Sequence, residues 1–144
     1  MDTAYKTTLE LDKVLNRAVQ LCACQETKEM MQALEPAPTI EDERYDLTQT
    51  NAINALLIKN GSPRFGSVRE VRRIVAHARK GGILSMGELL EIAATLRNFS
   101  GLSQWYGLSE HEMLPTDDLF FALAPQPVLE KQISESILSP EEMA

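Results

Sequence analysis

Apolar residues recur at three- and four-residue steps along nearly the whole chain, which is the spacing of amphipathic helices. The first such stripe predicts a helix that begins near residue 11, and its members are Leu11, Val14, Leu15, Ala18, Val19 and Cys22. Thr7 or Thr8 is suited to cap this helix, because a hydroxyl can accept a free N–H of the first turn. A second helix is predicted over residues 25–34, and it ends where Pro36 and Pro38 remove two backbone donors.

A long helix is predicted over residues 40–60. Thr39 stands at its N-cap position with acidic residues in the first turn, and Gly61 follows its last residue, as glycine often does at a helix end. Five residues supply its apolar side: Tyr45, Ala52, Ile53, Leu56 and Leu57.

The glycine- and proline-containing stretch over residues 61–67 is typical of a loop. Ser67 at its end is suited to cap a helix over residues 68–80, which Gly81 and Gly82 would close. We expect Val71, Ile74, Val75 and Ala78 to form the inward side of this helix.

Three more helices are predicted in the last third of the chain. Ser85 and Glu88 have the spacing of a capping box and open a helix that reaches about residue 106. A short helix covers residues 117–123, and a last one covers residues 126–138. The inward residues of the last helix are expected to be Val128, Leu129, Ile133 and Ile137.

These elements predict the all-α class, with short loops that favour an antiparallel multi-helix bundle. No stretch has the alternation and β-branched content of a strand. We assign residues 1–138 to one helical segment. In residues 139–144, Ser139 and Pro140 have the pattern of a helix start, which we interpret as the truncated start of a next element.

Composition excludes several classes of protein. The chain has 144 residues, with 14 Lys plus Arg against 21 Asp plus Glu and a net charge of −7, so a uniformly basic nucleic-acid coat is excluded. No apolar run approaches the ~20 residues that span a bilayer, and no signal peptide opens the chain. Cys22 and Cys24 cannot form a disulfide framework or a four-ligand zinc site. We therefore expect a cytoplasmic protein without a membrane partner.

The charge distribution has one local anomaly. Residues 64–80 contain six basic residues and Glu70, a net charge of +5 that leaves −12 on the remaining 127 residues. At about 100° per residue, the predicted helix carries a basic face opposite its apolar side. This face comprises Arg69, Arg72, Arg73, Arg79 and Lys80, which are candidates to contact phosphate groups of DNA or RNA. The alternative is a solvated face that pairs with the acid-rich remainder of the fold, with a sister chain or with an acidic partner.

Motifs of catalysis are absent from the sequence. There is no nucleophile elbow, phosphate-binding loop or His-Glu-x-x-His pattern, and the histidines His77 and His111 are interpreted as surface residues. Cys22 and Cys24 are expected at the C-terminal end of the first helix, as small buried residues. We assign no catalytic, cofactor-binding or metal-binding residue to this chain.

Four segments nevertheless resemble the bacterial MutS paralogues of the second type, in order and spacing over nearly the whole chain. Residues 8–15 (TLELDKVL) resemble the family's TLEFDKVL, and residues 34–36 (LEP) match its L-x-P. Residues 61–66 (GSPRFG) resemble GSPPFGG, and residues 80–90 (KGGILSMGELL) resemble KGGVLSPEELL, followed by a Leu96-Arg97 that fits TLR. Arg64 and Met86-Gly87 depart from the family pattern.

The resemblance implies an N-terminal helical core and lever segment of a dimeric ATPase. In such a parent protein, ATP and Mg²⁺ bind in a later domain, and a C-terminal Smr domain is an endonuclease in many members. The implied roles are suppression of recombination on branched DNA and splitting of collided ribosomes. No catalytic residue of the family falls within this chain. The alternative is a stand-alone acidic helical protein-interaction module.

Overall fold

The structure, a computed structural model, describes residues 10–64, 66, 68–108, 110–140 and 142–143. The chain forms two compact units, Met1–Pro36 and Ala37–Ala144. In the first unit, α1 (Leu11–Leu21) and α2 (Gln25–Gln32) pack on each other. Both helices were predicted at these positions. The N-cap of α1 is Glu10, whose φ of 57° is left-handed, while the candidate caps Thr7 and Thr8 lie outside the described residues.

The second unit contains five helices and two short strands within the described residues. The elements are α3 (Ile40–Asn60), α4 (Arg72–Arg79), α5 (Met86–Tyr106), α6 (Asp117–Phe121), α7 (Pro127–Ser136), β1 (Ile137–Ser139) and β2 (Glu142–Met143). The all-α class is therefore confirmed, and the one sheet is a two-stranded antiparallel pair.

The bounds of α3 are those that the sequence predicts, because both of its ends are specified locally. Thr39 Oγ1 accepts the backbone N–H of Asp42 at 3.1 Å and donates to the Asp42 carboxylate at 2.8 Å. At the other end, Gly61 has φ 73°, a conformation that is costly for residues with a Cβ.

α5 is the central element of the second unit, since it contributes to both hydrophobic clusters. Its capping box is formed as predicted: the Ser85 hydroxyl accepts the Glu88 N–H, and the Glu88 carboxylate accepts the Ser85 N–H at 2.8 Å. Gly101 lies within this helix without ending it.

The first cluster joins the C-terminal ends of α3 and α5 to α6. Leu56, Trp105 and Tyr106 are buried there, and Phe120 packs against them. Two hydrogen bonds lock the helix ends together: Trp105 Nε1 donates to the Gly61 carbonyl at 2.7 Å, and Asn60 Nδ2 donates to the Trp105 carbonyl at 3.1 Å.

The second cluster joins the N-terminal half of α5 to α7 and β1. Ala93, Ile133 and Ile137 are buried in it. Of the four residues predicted to face inward here, Val128 and Leu129 are exposed, so that part of the prediction is wrong. Val128 and Leu129 lie in the first turn of α7, whereas the buried Ile133 lies in its C-terminal half.

Two short strands near the C-terminus pair antiparallel. Ile137 is paired with Met143 and Ser139 with Glu142, whereas the pattern at Ser139 and Pro140 predicts a helix start. Glu141 and Ala144 lie outside the described residues. The division of the chain into 1–138 and 139–144 stays a prediction.

Candidate nucleic-acid interface

The basic stretch over residues 64–80, here called the basic segment, lies on the surface of the second unit. Its six basic side chains, Arg64, Arg69, Arg72, Arg73, Arg79 and Lys80, are all exposed. Within the described residues, no ion pair shorter than 4.0 Å is found between the side chains of this segment and a carboxylate of α5.

The structure does not place these residues on one helical face. α4 begins at Arg72, four residues later than predicted, with Val71 at its N-cap, and the Val71 side chain makes no capping hydrogen bond. Arg69 therefore precedes the helix, and Lys80 is its C-cap. The predicted cap Ser67 lies outside the described residues.

The loop that precedes the late start of α4 is hydrogen-bonded to α5. The backbone N–H of Gly66 donates to Asn98 Oδ1 at 2.8 Å, so the chain reaches α4 from a point bound to α5. A Cβ at Gly66 would lie 3.0 Å from the same oxygen, which makes a close approach of the backbone easiest with glycine. The loop then carries Arg69 to a groove that Arg97 and Leu90 also line.

The side of α4 that faces inward is narrower than the sequence predicts. Ile74 is buried, whereas Val75 and Ala78 are exposed, so only part of the predicted apolar side packs against the fold. An eight-residue helix has about two turns, and Ile74 is the residue that α4 buries.

A cleft of about 560 Å³ between α4 and α5 divides the arginines into two groups. Arg73 and His77 line this cleft together with the carboxylates of Glu70, Glu88 and Glu91. Arg72 and Arg79 are seven residues apart, so they lie on a common line along α4, about 100° from Arg73. The field at Arg73 is thus offset by its acidic neighbours in the cleft.

The end of α4 is fixed by a Schellman motif. Gly82 N–H donates to the His77 carbonyl at 3.1 Å and Gly81 N–H to the Ala78 carbonyl at 2.9 Å, and Gly81 has φ 82°. The His77 ring covers Gly82, where a Cβ would come within 2.2 Å of its Nε2. The predicted Gly81-Gly82 stop is therefore confirmed, and it positions Lys80 at the edge of the basic segment.

Two carboxylates near this surface have lowered pKa values. The backbone N–H of Ser85, then its hydroxyl, and more weakly the charge of His77 lower the pKa of Glu88. The pKa of Glu130 is lowered chiefly by hydrogen bonds from Arg97, whose Nε and Nη2 lie 3.1 and 2.6 Å from Glu130 Oε1. Ser134 Oγ also donates to this oxygen at 3.1 Å. The Arg97–Glu130 pair links α5 to α7.

These shifts predict loss of stability in acid. Because the pKa of such a carboxyl group is lower in the folded chain than the value of about 4.5 in the unfolded chain, its ionised form stabilises the fold above pH 4.5. This stabilisation is lost as the pH falls through the pKa of the folded chain. We expect the free energy of unfolding, measured by urea titration, to decrease below about pH 4.5. In Glu130→Gln this decrease should be smaller, while Glu135→Gln, at an exposed pair with Lys131, should leave the pH profile of the wild type. Identical profiles for wild type and Glu130→Gln would contradict the assignment.

A buried polar network around Tyr106 is a feature that sequence reasoning missed. The Tyr106 hydroxyl lies 2.8 Å from Thr116 Oγ1 and donates to Asp117 Oδ1 at 2.7 Å, and Asp117 Oδ2 accepts the Leu114 N–H. Burial raises the pKa of Tyr106. The ring stacks on Phe120 with centroids 3.8 Å apart. A Tyr followed ten residues later by Thr-Asp is too common a pattern to have identified it.

The remaining candidates give no reaction centre. Cys22 is the C-cap of α1, but Cys24 is the N-cap of α2, with Sγ 3.0 Å from Thr27 Oγ1, so its predicted place at the end of the first helix is wrong. Both cysteines are half-buried. His77 and His111 are exposed, as expected. Among the described residues, no group of three or more His, Cys, Asp and Glu could hold a metal ion.

Within the described part of the chain, no helix is both long and apolar enough to span a membrane. The contact of Arg69, Arg72, Arg73, Arg79 and Lys80 with nucleic acid stays a prediction.

The chain is similar to curated proteins from different bacteria that carry the same name. The chain is 30% identical over 146 residues to a protein named Endonuclease MutS2 from Ruminiclostridium cellulolyticum, and 27% identical over 138 residues to the protein of the same name from Clostridium beijerinckii. These alignments cover 100% and 94% of the chain but 18% of each relative. No protein-family model matches the sequence. No solved structure matches it.

Proposed function

Since the chain is a segment of the MutS2 family, we propose that it is an architectural part of a longer MutS-like ATPase that acts on DNA or ribosomes. The parent would act as a homodimer, bind ATP and Mg²⁺ outside this segment, and have endonuclease activity like that named for its relatives. This segment would relay ATPase motion to a clamp, and it would itself perform no reaction.

The architecture of α5 supports the mechanical part of the proposal. This helix has 21 residues, a length of roughly 30 Å, and a buried cluster at each end. Packed helices transmit displacements as stiff elements, because close-packed interiors do not deform continuously. A displacement of the end of this unit that α3 and α6 form would therefore be transmitted along α5 to the α7 end with little reduction in amplitude.

The exposure of the basic segment is the observation that supports nucleic-acid contact. Arginine side chains bind phosphate oxygens in a bidentate manner and give affinity without sequence readout. The remaining chain carries −12, so its field opposes phosphate binding and makes the isolated segment a weak binder. Such contacts would assist the parent protein on DNA or ribosomal RNA rather than hold it there alone.

Because Arg73 lies in the cleft and Arg72 and Arg79 lie on another line of α4, variants of the two groups can test the phosphate role. We expect Arg72→Glu plus Arg79→Glu to weaken binding of the chain to branched DNA at low salt and to reduce the salt slope of log K by about 2. The effect should be similar for unrelated sequences. Arg73→Glu, within the carboxylate-lined cleft, should change the slope by much less than the ~0.9 expected for the loss of one phosphate contact.

A charge-matched control separates local contact from net charge. Lys13→Glu plus Lys131→Glu reverses two exposed basic residues elsewhere in the chain and should leave the slope unchanged. Fluorescence anisotropy over a salt series, with a ribosomal RNA stem as second ligand, measures all variants. Equal slopes for the wild type and the Arg72/Arg79 variant would reject the phosphate role.

A further inference from the structure

α3 has two apolar sides, and the described part of the chain covers one of them. Leu56 is buried, Ile53 and Leu57 pack partly buried against the first cluster, and Ala52 on the same side is half-buried. On the opposite side, Ile40, Leu47 and Ile58 are 65%, 52% and 80% exposed. At about 100° per residue these three residues lie within about 20° of one line, roughly 180° from Leu56 and Gln49.

The spacing of this outer stripe is that of a helix-pairing seam. Steps of four and three residues connect its members, which are Ile40, Arg44, Leu47, Asn51, Asn54 and Ile58. This is the alternation of the a and d positions of a coiled coil over two and a half heptads. All six side chains are exposed. A second α-helix is therefore the shape that fits the stripe.

The seam is complementary to itself when two copies run antiparallel. With the two-fold axis at residue 49, Ile40 faces Ile58 of the second copy, Leu47 faces its Asn51, and Arg44 faces its Asn54. Apolar residues then meet at both ends of the seam, and each leucine packs against the neutral Asn51 of the other helix. A parallel in-register pair would place each apolar residue on its own copy, but it would also place Arg44 on Arg44 and Asn51 on Asn51.

Charge also favours the antiparallel arrangement. Residues 40–46 of α3 carry a net charge of −3, whereas Lys59 is the one charged residue in 47–60. Parallel helices would align the two acidic ends, which repel, while antiparallel helices place each acidic end beside the neutral-to-basic end of the other. The antiparallel helix dipoles attract as well.

A groove of about 530 Å³ beside the stripe extends the same surface. Ile53 and Leu57 of α3 and Leu119 of α6 form its apolar part, and none of its lining residues is charged. Depletion of charge is a feature of interface cores.

We propose that α3 is a self-association surface at which a second copy of this chain binds antiparallel through Ile40, Leu47 and Ile58. The contact is distinct from the phosphate role, because it involves no residue of the basic segment. A single helix pair of roughly 30 Å is smaller than a standard interface, so the dimer forms at high concentration.

Sedimentation equilibrium from about 10 μM to about 1 mM tests the association. We expect the apparent mass of the wild type to rise from 16.1 kDa towards that of a dimer. Leu47→Glu and Ile58→Glu should each stay monomeric with unchanged helical circular dichroism. Val128→Glu, at a residue of α7 that is 70% exposed, should associate like the wild type.

Cross-linking tests the orientation, in chains where Cys22 and Cys24 are replaced by serine. Ile40→Cys chains mixed with Ile58→Cys chains should form mixed disulfide dimers, and Ile40→Cys alone should form few. Monomers at every concentration, association that Leu47→Glu leaves intact, or preferential Ile40→Cys homodimers would each overturn the proposal. DNA-binding slopes that still depend on Arg72 and Arg79 would show that the proposed function survives such a failure.

Discussion

Replacing Trp105 with alanine is expected to lower the free energy of unfolding by about 3–5 kcal/mol. Trp105 is 6% exposed and fills the space between Leu56 and Phe120. The change leaves a cavity there and removes the donor to the Gly61 carbonyl, which holds the end of α3 to α5. Because Trp105 is the one tryptophan of the chain, unfolding in urea should be followed by circular dichroism.

Phe121→Ala is the matched control for this experiment. Phe121 belongs to α6 but is 73% exposed, so its removal should cost less than about 0.5 kcal/mol. A loss of less than about 1 kcal/mol for Trp105→Ala would contradict the description of the first cluster as a packed core.

Replacing Ile133 with alanine is expected to cost about 2–5 kcal/mol. Ile133 is 8% exposed and packs with Ala93 and Ile137 at the other end of the second unit. Since α5 supplies residues to both clusters, we expect a single cooperative urea transition that moves as a whole to lower midpoint. Two separate transitions would show that the clusters fold independently of α5.

Val128→Ala tests the same helix at a residue that the spacing had assigned to the core. At 70% exposure, Val128 should tolerate alanine with a change of less than about 0.5 kcal/mol. A cost comparable to that of Ile133→Ala would mean that the sequence interpretation of α7 was right and that the exposed position of Val128 is wrong.

The helices that the sequence predicts best are those whose ends are defined by neighbouring residues. Thr39 with Asp42, and Ser85 with Glu88, complete hydrogen bonds within one turn, so the beginnings of α3 and α5 follow from local chemistry. The glycine ends at Gly61 and Gly81 are equally local, since both residues have a positive φ.

The errors arise where contacts distant in sequence decide the outcome. α4 begins late after a loop whose Gly66 is bound to Asn98, 32 residues away. The antiparallel pair of β1 and β2 depends on the packing of Ile137 against α5, which no pattern in these strands reveals. The division of the arginines likewise depends on Glu88 and Glu91, which α5 brings to the cleft.

The dependence of both clusters on α5 has a consequence for insertions and deletions. One residue inserted between Ala93 and Trp105 would rotate the two ends of the helix by about 100° relative to each other. One cluster would then lose its apolar partners, although the sequence of each half of α5 would still have the pattern of an amphipathic helix. Length variation among related chains should consequently concentrate in the loops and spare this stretch, or occur there in steps of whole turns.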